Sequence, residues 1–423
     1  MSGIILIEKK KKKKQLNSFI YYRQLPKNQT FYKVFATIMS LVGVGNRETW
    51  GYQKVPRIFQ LNSLMIFIFG PVVGFSQFLF LYFNFHDLEF DTLGIIFSIW
   101  PASLLACVNI YSSKFNNFKI VIKEFMTQIH VYNVYKNNDE FVKKQVILTE
   151  RLVRFAASYL IFFFISNCLG WVFIPAVNNY RNGDFIANRT MKLQTCVYLW
   201  VPLDYSYNYN NWIVIHTINA YIIACGVTVL MQFQSLNNIV LLNIIAHIKI
   251  LKNNIQNTML DNLSNADVRE HLIGVIKYHL FIINQFKKAQ SAFGVNVAAI
   301  YVQNLFGNSV LLYQLKYGGK ENIMLYITMI MAYTGGPILI SFVVDEVKRQ
   351  ADDLPDLVYG MPWENMSVSN QKTAMLLLQK VQIPMEFEAL GGLIAGVRPM
   401  ISILKTTFSY YVMLESSMES KSA

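Results

Sequence analysis

The residues of this 423-residue chain that could do chemistry lie near its end, in LGGLIAGVRPMISILKTTFSYYVML, residues 390–414. The stretch is long enough to cross a bilayer, yet it carries two full charges, Arg398 and Lys405. Stepped by alternating fours and threes along a helix, Gly391, Ala395, Arg398, Ser402, Lys405, Ser409, Val412 and Ser416 fall on or near one line. The opposite side holds Leu393, Ile394, Met400, Ile401, Leu404 and Tyr411. A charge at the bilayer centre costs upward of ~2.5 kcal/mol, so it faces protein or water. Two readings follow. In the first, the polar line borders a water-filled path, and Val412 and Met413 from several copies form an apolar ring that closes it by dewetting. In the second, the helix is buried in a bundle and each cation pairs with an acid. The apolar spans hold no acids, and Glu386 and Glu388 lie only at one mouth of the helix, which favours the first reading.

Other chemistry finds little support. Cys107, Cys168, Cys196 and Cys225 form no CxxC or Cys/His pair, so no metal site or cofactor is expected, while a Cys168–Cys196 bridge stays open. His216 and His279 are isolated, as packing histidines are. GxSxG, Walker-loop and HExxH patterns are absent, so no catalytic residue is expected.

The elements that must position the charged line are membrane spans. The chain is 53% hydrophobic and 15% charged, with mean hydropathy +0.31, whereas a soluble domain carries roughly 25% charged residues. The net charge of +13 would suggest nucleic acid. On a membrane protein it instead marks cytoplasmic loops beside anionic lipid, so the bilayer is the expected partner and nucleic acid is not. The six lysines at 9–14 read as a low-complexity tail or a lipid contact, and no signal-peptide core surrounds them.

A hydrocarbon core ~30 Å thick needs about 20 apolar residues. Six windows free of Asp, Glu, Lys and Arg suffice: 58–85, 92–113, 155–180, 205–248, 289–315 and 322–344. The stretch at 390–414 makes a seventh, and the tail of the fourth is expected to run on as a helix. Lys and Arg number 12 before the first span, none in the next connection, then 8, 3 and 6. The expected fold is therefore an all-α membrane protein with seven transmembrane helices, N-terminus cytoplasmic and C-terminus extracellular. The expected parts are a cytoplasmic segment with an amphipathic helix at 1–57, six spans at 58–344, a cytoplasmic segment at 345–385, the charged seventh helix at 386–414 and an extracellular tail at 415–423. Of the sequons at Asn28, Asn188, Asn262 and Asn365, only Asn188 falls outside and is expected to carry glycan. An inside N-terminus and the lack of DRY and NPxxY exclude a G-protein-coupled receptor. No internal repeat of a transporter kind is visible.

The C-terminal third resembles the insect odorant receptors. The resemblance rests on Tyr359, Pro362 and Trp363 in YGMPWEN, on the helix QKTAMLLLQKVQIP with Gln382 and Pro384, and on the ending LKTTFSYYVML with Lys405, Phe408, Ser409 and Tyr410. Residues 31–60 are similar to the family's short amphipathic helix. The TYxxxxxQF ending of the related gustatory receptors is missing, although a gustatory-type ligand-gated channel remains the alternative and a transporter a more distant one. The resemblance implies an odour-gated, nonselective cation channel subunit of a tetramer, usually built with a shared co-receptor in the plasma membrane of sensory-neuron cilia or dendrites. It implies that Arg398, Ser402, Lys405, Ser409, Val412, Met413 and Ser416 border the pore. It places a subunit anchor at about 278–291 and 375–381.

It further implies a pocket for a small volatile molecule in the outer half of the subunit, between spans two, three, four and six. On this chain those positions are Phe97, Trp100, Ser166, Cys168, Trp171, Trp212, His216, Asn219, Tyr221, Tyr326, Met329 and Tyr333. Such a set is apolar and aromatic with a few hydrogen-bonding groups. The same aromatics also suit an ordinary interfacial belt. Asn304, Asn308 and Tyr313 of the fifth span are candidate relays from this pocket to the last helix.

Overall fold

A computed structural model describes residues 24–135, 139–257 and 264–422. The lysine run at 9–14 and the Asn262 sequon lie outside the described residues. The chain is helical: α1 Thr30–Leu41, α2 Arg57–Asn84, α3 Phe90–Ser112, α4 Asn116–Glu124, α5 Glu140–Arg181, α6 Tyr209–Gln256, α7 Asn265–Tyr317, α8 Ile323–Asp352, α9 Val368–Val381 and α10 Val397–Ser422. Among the described residues, six helices are long and apolar enough to cross a membrane: α2, α3, α5, α6, α7 and α8.

Local chemistry sets where several of these helices begin. Asp139 caps α5 by accepting from the N–H groups of Phe141 and Val142, and Asn208 caps α6 through Asn210 and Asn211. Ser264 and Asp267 close a reciprocal capping box at the start of α7. Pro71, Pro101, Pro175 and Pro337 lie inside apolar helices, and at Pro71 and Pro337 a neighbouring helix donates to the freed carbonyl, Tyr111 Oη to Phe67 O at 3.2 Å and Asn304 Nδ2 to Tyr333 O at 2.7 Å.

At 48 and 53 residues, α6 and α7 are about 72 and 80 Å long, far beyond a ~30 Å hydrocarbon core. The tail of the fourth window does continue as helix. The end of the bundle where α2 begins is here termed inner. Toward that end α6 is buried almost without a break from Val229 to Leu251, while its outer half is mostly exposed or half-buried. The main apolar core therefore sits at the inner end. It also holds a buried ionisable cluster: Tyr32 Oη donates to Glu150 Oε1 at 3.1 Å, His130 Nε2 lies 2.9 Å from the same oxygen, and Arg154 Nη2 lies 3.5 Å from Oε2. α7 is the central strut, packed against α3, α8, α10 and α6.

The last helix differs from expectation. It begins at Val397, not within 386–396. Residues 387–395 fold back on themselves, with Ala389 N donating to Leu393 O at 2.7 Å and Ala395 N to Phe387 O at 2.8 Å. Gly391 and Gly392 take φ of +78° and +76°, and Gly396 +149°. Only glycine adopts such conformations readily, so the glycines read as helix in the sequence are what stop the helix. Gly391, Leu393, Ile394 and Ala395 thus leave the helical wheel, and Arg398 moves from mid-span to the first turn.

Candidate functional site

The outer half of the bundle holds a cavity of ≈ 700 Å³ with almost wholly apolar walls. α2 contributes Met65 to Ser76, α3 Ile99 to Ile110, α5 Phe164, Asn167 and Trp171, α6 Thr217 to Leu230, and α8 Ala332 and Tyr333. The segment Val197 to Val201 lies across it, with Tyr198 aside. The polar exceptions are few, and one is distinctive. Asn167 is 5% exposed, and its Nδ2 has no hydrogen-bond partner. An unpaired buried amide costs ~1–3 kcal/mol, so a small turn of the Asn167 side chain that brings Nδ2 to an acceptor in the cavity would be favourable.

Of the expected pocket residues, Trp171, Tyr221 and Tyr333 line this cavity together. The others do not. Trp100 donates from Nε1 to Gly74 O at 3.2 Å and so ties α3 to α2. Phe97 and Ser166 are half-buried outside the lining. Tyr326 and Met329 are fully buried behind the cavity wall, in an apolar cluster with Ile95, Leu311 and the lining residue Trp171. Asn219 holds the covering segment instead, and His216 ties α6 to α5 beside it. His216 Nε2 lies 3.0 Å from Val172 O, and its ring stacks on Trp212. Asn219 Nδ2 donates to Val197 O at 2.6 Å and to Thr195 Oγ1 at 3.0 Å.

The four cysteines are free thiols. Cys196 is not bridged to Cys168, and its Sγ lies 3.7 Å from His216 Nδ1. Burial pushes the Cys196 thiol and the Tyr198 hydroxyl each up to about 12, so neither brings a charge to the covering segment at neutral pH. Asn188 is exposed beyond α5, and Asn28 and Asn365 are exposed near the inner end.

Sequence reasoning missed Asn167 and the whole α2 wall. A signal for the first existed. Phe164, Asn167 and Trp171 recur at three- and four-residue steps, which places them on one helix face, while Ser166 turns away. No such signal marked α2, whose apolar residues look alike around its circumference.

From the cavity, contacts run toward α10. Tyr333 Oη donates to Ser98 O at 2.9 Å, and Asn304 Nδ2 of α7 donates to Tyr333 O at 2.7 Å. Further along α7, Ser309 Oγ is 3.3 Å from Thr407 O of α10. Asn308 is 2% exposed with neither side-chain atom paired, and Tyr313 packs edge-on against Phe90.

On α10 the line of Arg398, Ser402, Lys405, Ser409, Val412 and Ser416 is exposed throughout, as is Met413. Met400 and Thr407 are buried, and Leu404 and Tyr411 are half-buried against the bundle. Ile401, expected on the packed side, is 47% exposed. At 26 residues, about 39 Å, α10 is long enough to span a bilayer, and its polar face keeps it outside the apolar class. Acids do gather near its start: Glu386 pairs with Lys348, and Asp345 abuts Gly396.

Comparison with known proteins is consistent across sequence and structure. A family model described as "7tm Odorant receptor" matches residues 102–408. "Odorant receptor 30a" of Drosophila melanogaster is 20% identical over 352 residues, covering 81% of this chain and 88% of that protein. The solved olfactory receptor OR5 of Machilis hrabei superposes with a TM-score of 0.75 at 16% identity, over 91% of this chain and 97% of that one. Its complex with eugenol gives 0.72 at 16% identity, over 94% and 99%.

Proposed function

The chain belongs to the odorant-receptor family, and on that premise we propose that its outer cavity binds a small volatile molecule and gates a cation path along α10. It is a receptor, with no catalytic role. The observation that carries the ligand reading is the unpaired Asn167 amide on an otherwise apolar wall. A molecule with one hydrogen-bond acceptor, such as an ester or aldehyde, satisfies that amide while its carbon skeleton fills the rest. The eugenol complex of OR5 supports a small, mostly apolar guest of this kind.

The chain threads seven spans from a cytoplasmic N-terminus, with α10 the last. Four subunits, this one together with a co-receptor, surround one pore in the plasma membrane of sensory neurons. The 1–57, 58–344, 345–385, 386–414 and 415–423 segments keep their expected roles, with the pore helix starting at Val397. The exposed face from Arg398 to Ser416 borders the pore, and Val412 and Met413 form its narrow part. Ligand must favour the open state to shift the equilibrium. The contacts Tyr333–Asn304 and Ser309–Thr407 supply a route by which a changed cavity biases α10.

The test is whole-cell current during rapid application of volatile esters, aldehydes and alcohols, with and without a co-receptor and with G-protein signalling blocked. A fast nonselective cation current that requires the co-receptor is expected. Surface expression with no current to any class overturns the reading.

A further inference from the structure

The cavity is not enclosed on all sides. α2 packs along α3, with α1 at its inner end, and only touches α6. Between α2 and α6 the wall is a slot with exposed lips and a buried floor. Val72 is 52% and Ile218 48% exposed, whereas Ile66 is 9%, Leu230 8% and Trp171 3% exposed. The exposed lip residues are apolar, unlike the exposed polar face of α10, and apolar surface on a membrane-spanning helix suits acyl chains, so the slot is taken to face hydrocarbon. Two polar ties bracket it. At the outer end Ser76 Oγ donates to Trp200 O at 2.9 Å, and Trp200 N donates to Ser76 O at 3.2 Å. At the other end Tyr221 Oη donates to Asn62 Oδ1. Asn62 and Ser76 lie about 21 Å apart along α2, more than the ~15 Å depth of one leaflet's hydrocarbon.

We propose that this slot is a lateral portal through which the cavity takes a long, single-chain aliphatic alcohol, aldehyde or ester directly from the bilayer. The proposal rests on the reading of the cavity as the ligand site and extends it. The acceptor oxygen meets the Asn167 amide, and the chain lies along the groove between α2 and α6. A guest partitioned into the membrane is already concentrated at the lips and need not cross the covering segment 197–201. The Tyr221–Asn62 tie joins the two lips, and the Ser76–Trp200 tie fixes the α2 lip to the covering segment, so the slot admits one unbranched chain and excludes wide or branched ones.

The test uses the purified full-length chain in phosphatidylcholine nanodiscs and a long-chain aliphatic aldehyde carrying a diazirine near its tail. Irradiation is expected to place adducts on the peptides spanning 65–76 and 217–230, competed away by excess unlabelled aldehyde. Val72→Trp and Ile218→Trp, from opposite lips, are each expected to lower this labelling about tenfold; either suffices if the other fails to fold. Phe162→Trp, 64% exposed on α5 and outside the lining, is expected to leave it unchanged. Unsaturable labelling spread over all lipid-facing helices, or labelling at the unmutated chain's level in both lip variants, overturns the portal. Odour-evoked current without slot labelling overturns the portal alone. Competed slot labelling without any current to volatiles leaves the portal standing and overturns the channel reading.

Discussion

The carboxylate of Asp345 occupies the space that a Cβ on Gly396 would need. Gly396 has φ +149°, and its N–H donates to Tyr301 Oη at 3.2 Å, which in turn pairs with Ser341 Oγ at 2.8 Å. The start of α10 is thus locked to α7 and α8 at a point where only glycine fits. Gly396→Ala adds a clash and a backbone strain of ~1–3 kcal/mol. We expect maximal current to fall at least about tenfold while the protein still reaches the surface. Adding Asp345→Gly removes the clash but not the strain, so recovery should be partial; full recovery would contradict the backbone argument.

Replacing Asn167 by Leu removes the unpaired donor from the cavity. A hydrogen bond contributes ~0.5–1.5 kcal/mol, so the half-maximal concentration for an ester or aldehyde should rise up to about tenfold. The response to an alkane of equal length should hold or improve. Dose–response curves for the matched pair decide it.

Asn304→Leu cuts the bond to Tyr333 O between α7 and α8. If that contact biases α10, half-maximal concentration and maximal response should change together. A shift in concentration alone would assign Asn304 to binding rather than coupling.

Glu150 is 1% exposed and accepts from Tyr32 while contacting His130 and Arg154. Glu150→Ala strands these partners, and breaking a buried ionic cluster costs ~3–5 kcal/mol. The expected result is a lower melting temperature in detergent and reduced surface expression. An unchanged melting curve would show that α1 does not depend on this cluster.

Asn188→Gln should abolish the mobility shift seen on glycosidase treatment. Asn28→Gln and Asn365→Gln should leave it intact. Glycan at either of the latter would invert the orientation read from the positive charges.

Much of the fold could be read from the chain, because apolar windows and charge alternation are coarse signals that survive without tertiary detail. The six apolar helices and the extension of α6 follow from them. The start of α10 did not follow. GlyGly at 391–392 and Gly396 look like small residues on a helix face, and only φ reveals them as a stop. The site was legible in part. Trp171, Tyr221 and Tyr333 share the cavity, but depth alone does not fix phase around a helix. Ser166 was therefore chosen where Asn167 lines the wall, and His216 and Asn219, polar and well placed in depth, are consumed by tying α6 to α5 and to the covering segment.

The uneven packing along α6 has a consequence for divergence. Its inner run, Val229 to Leu251, is sealed in the core, where a large-to-small substitution costs ~2–5 kcal/mol, a large share of a protein's narrow stability margin. Its outer half borders the slot and hydrocarbon, where apolar exchanges cost little. New ligand preferences can therefore accumulate one substitution at a time in the outer half, while the inner half keeps each descendant able to fold.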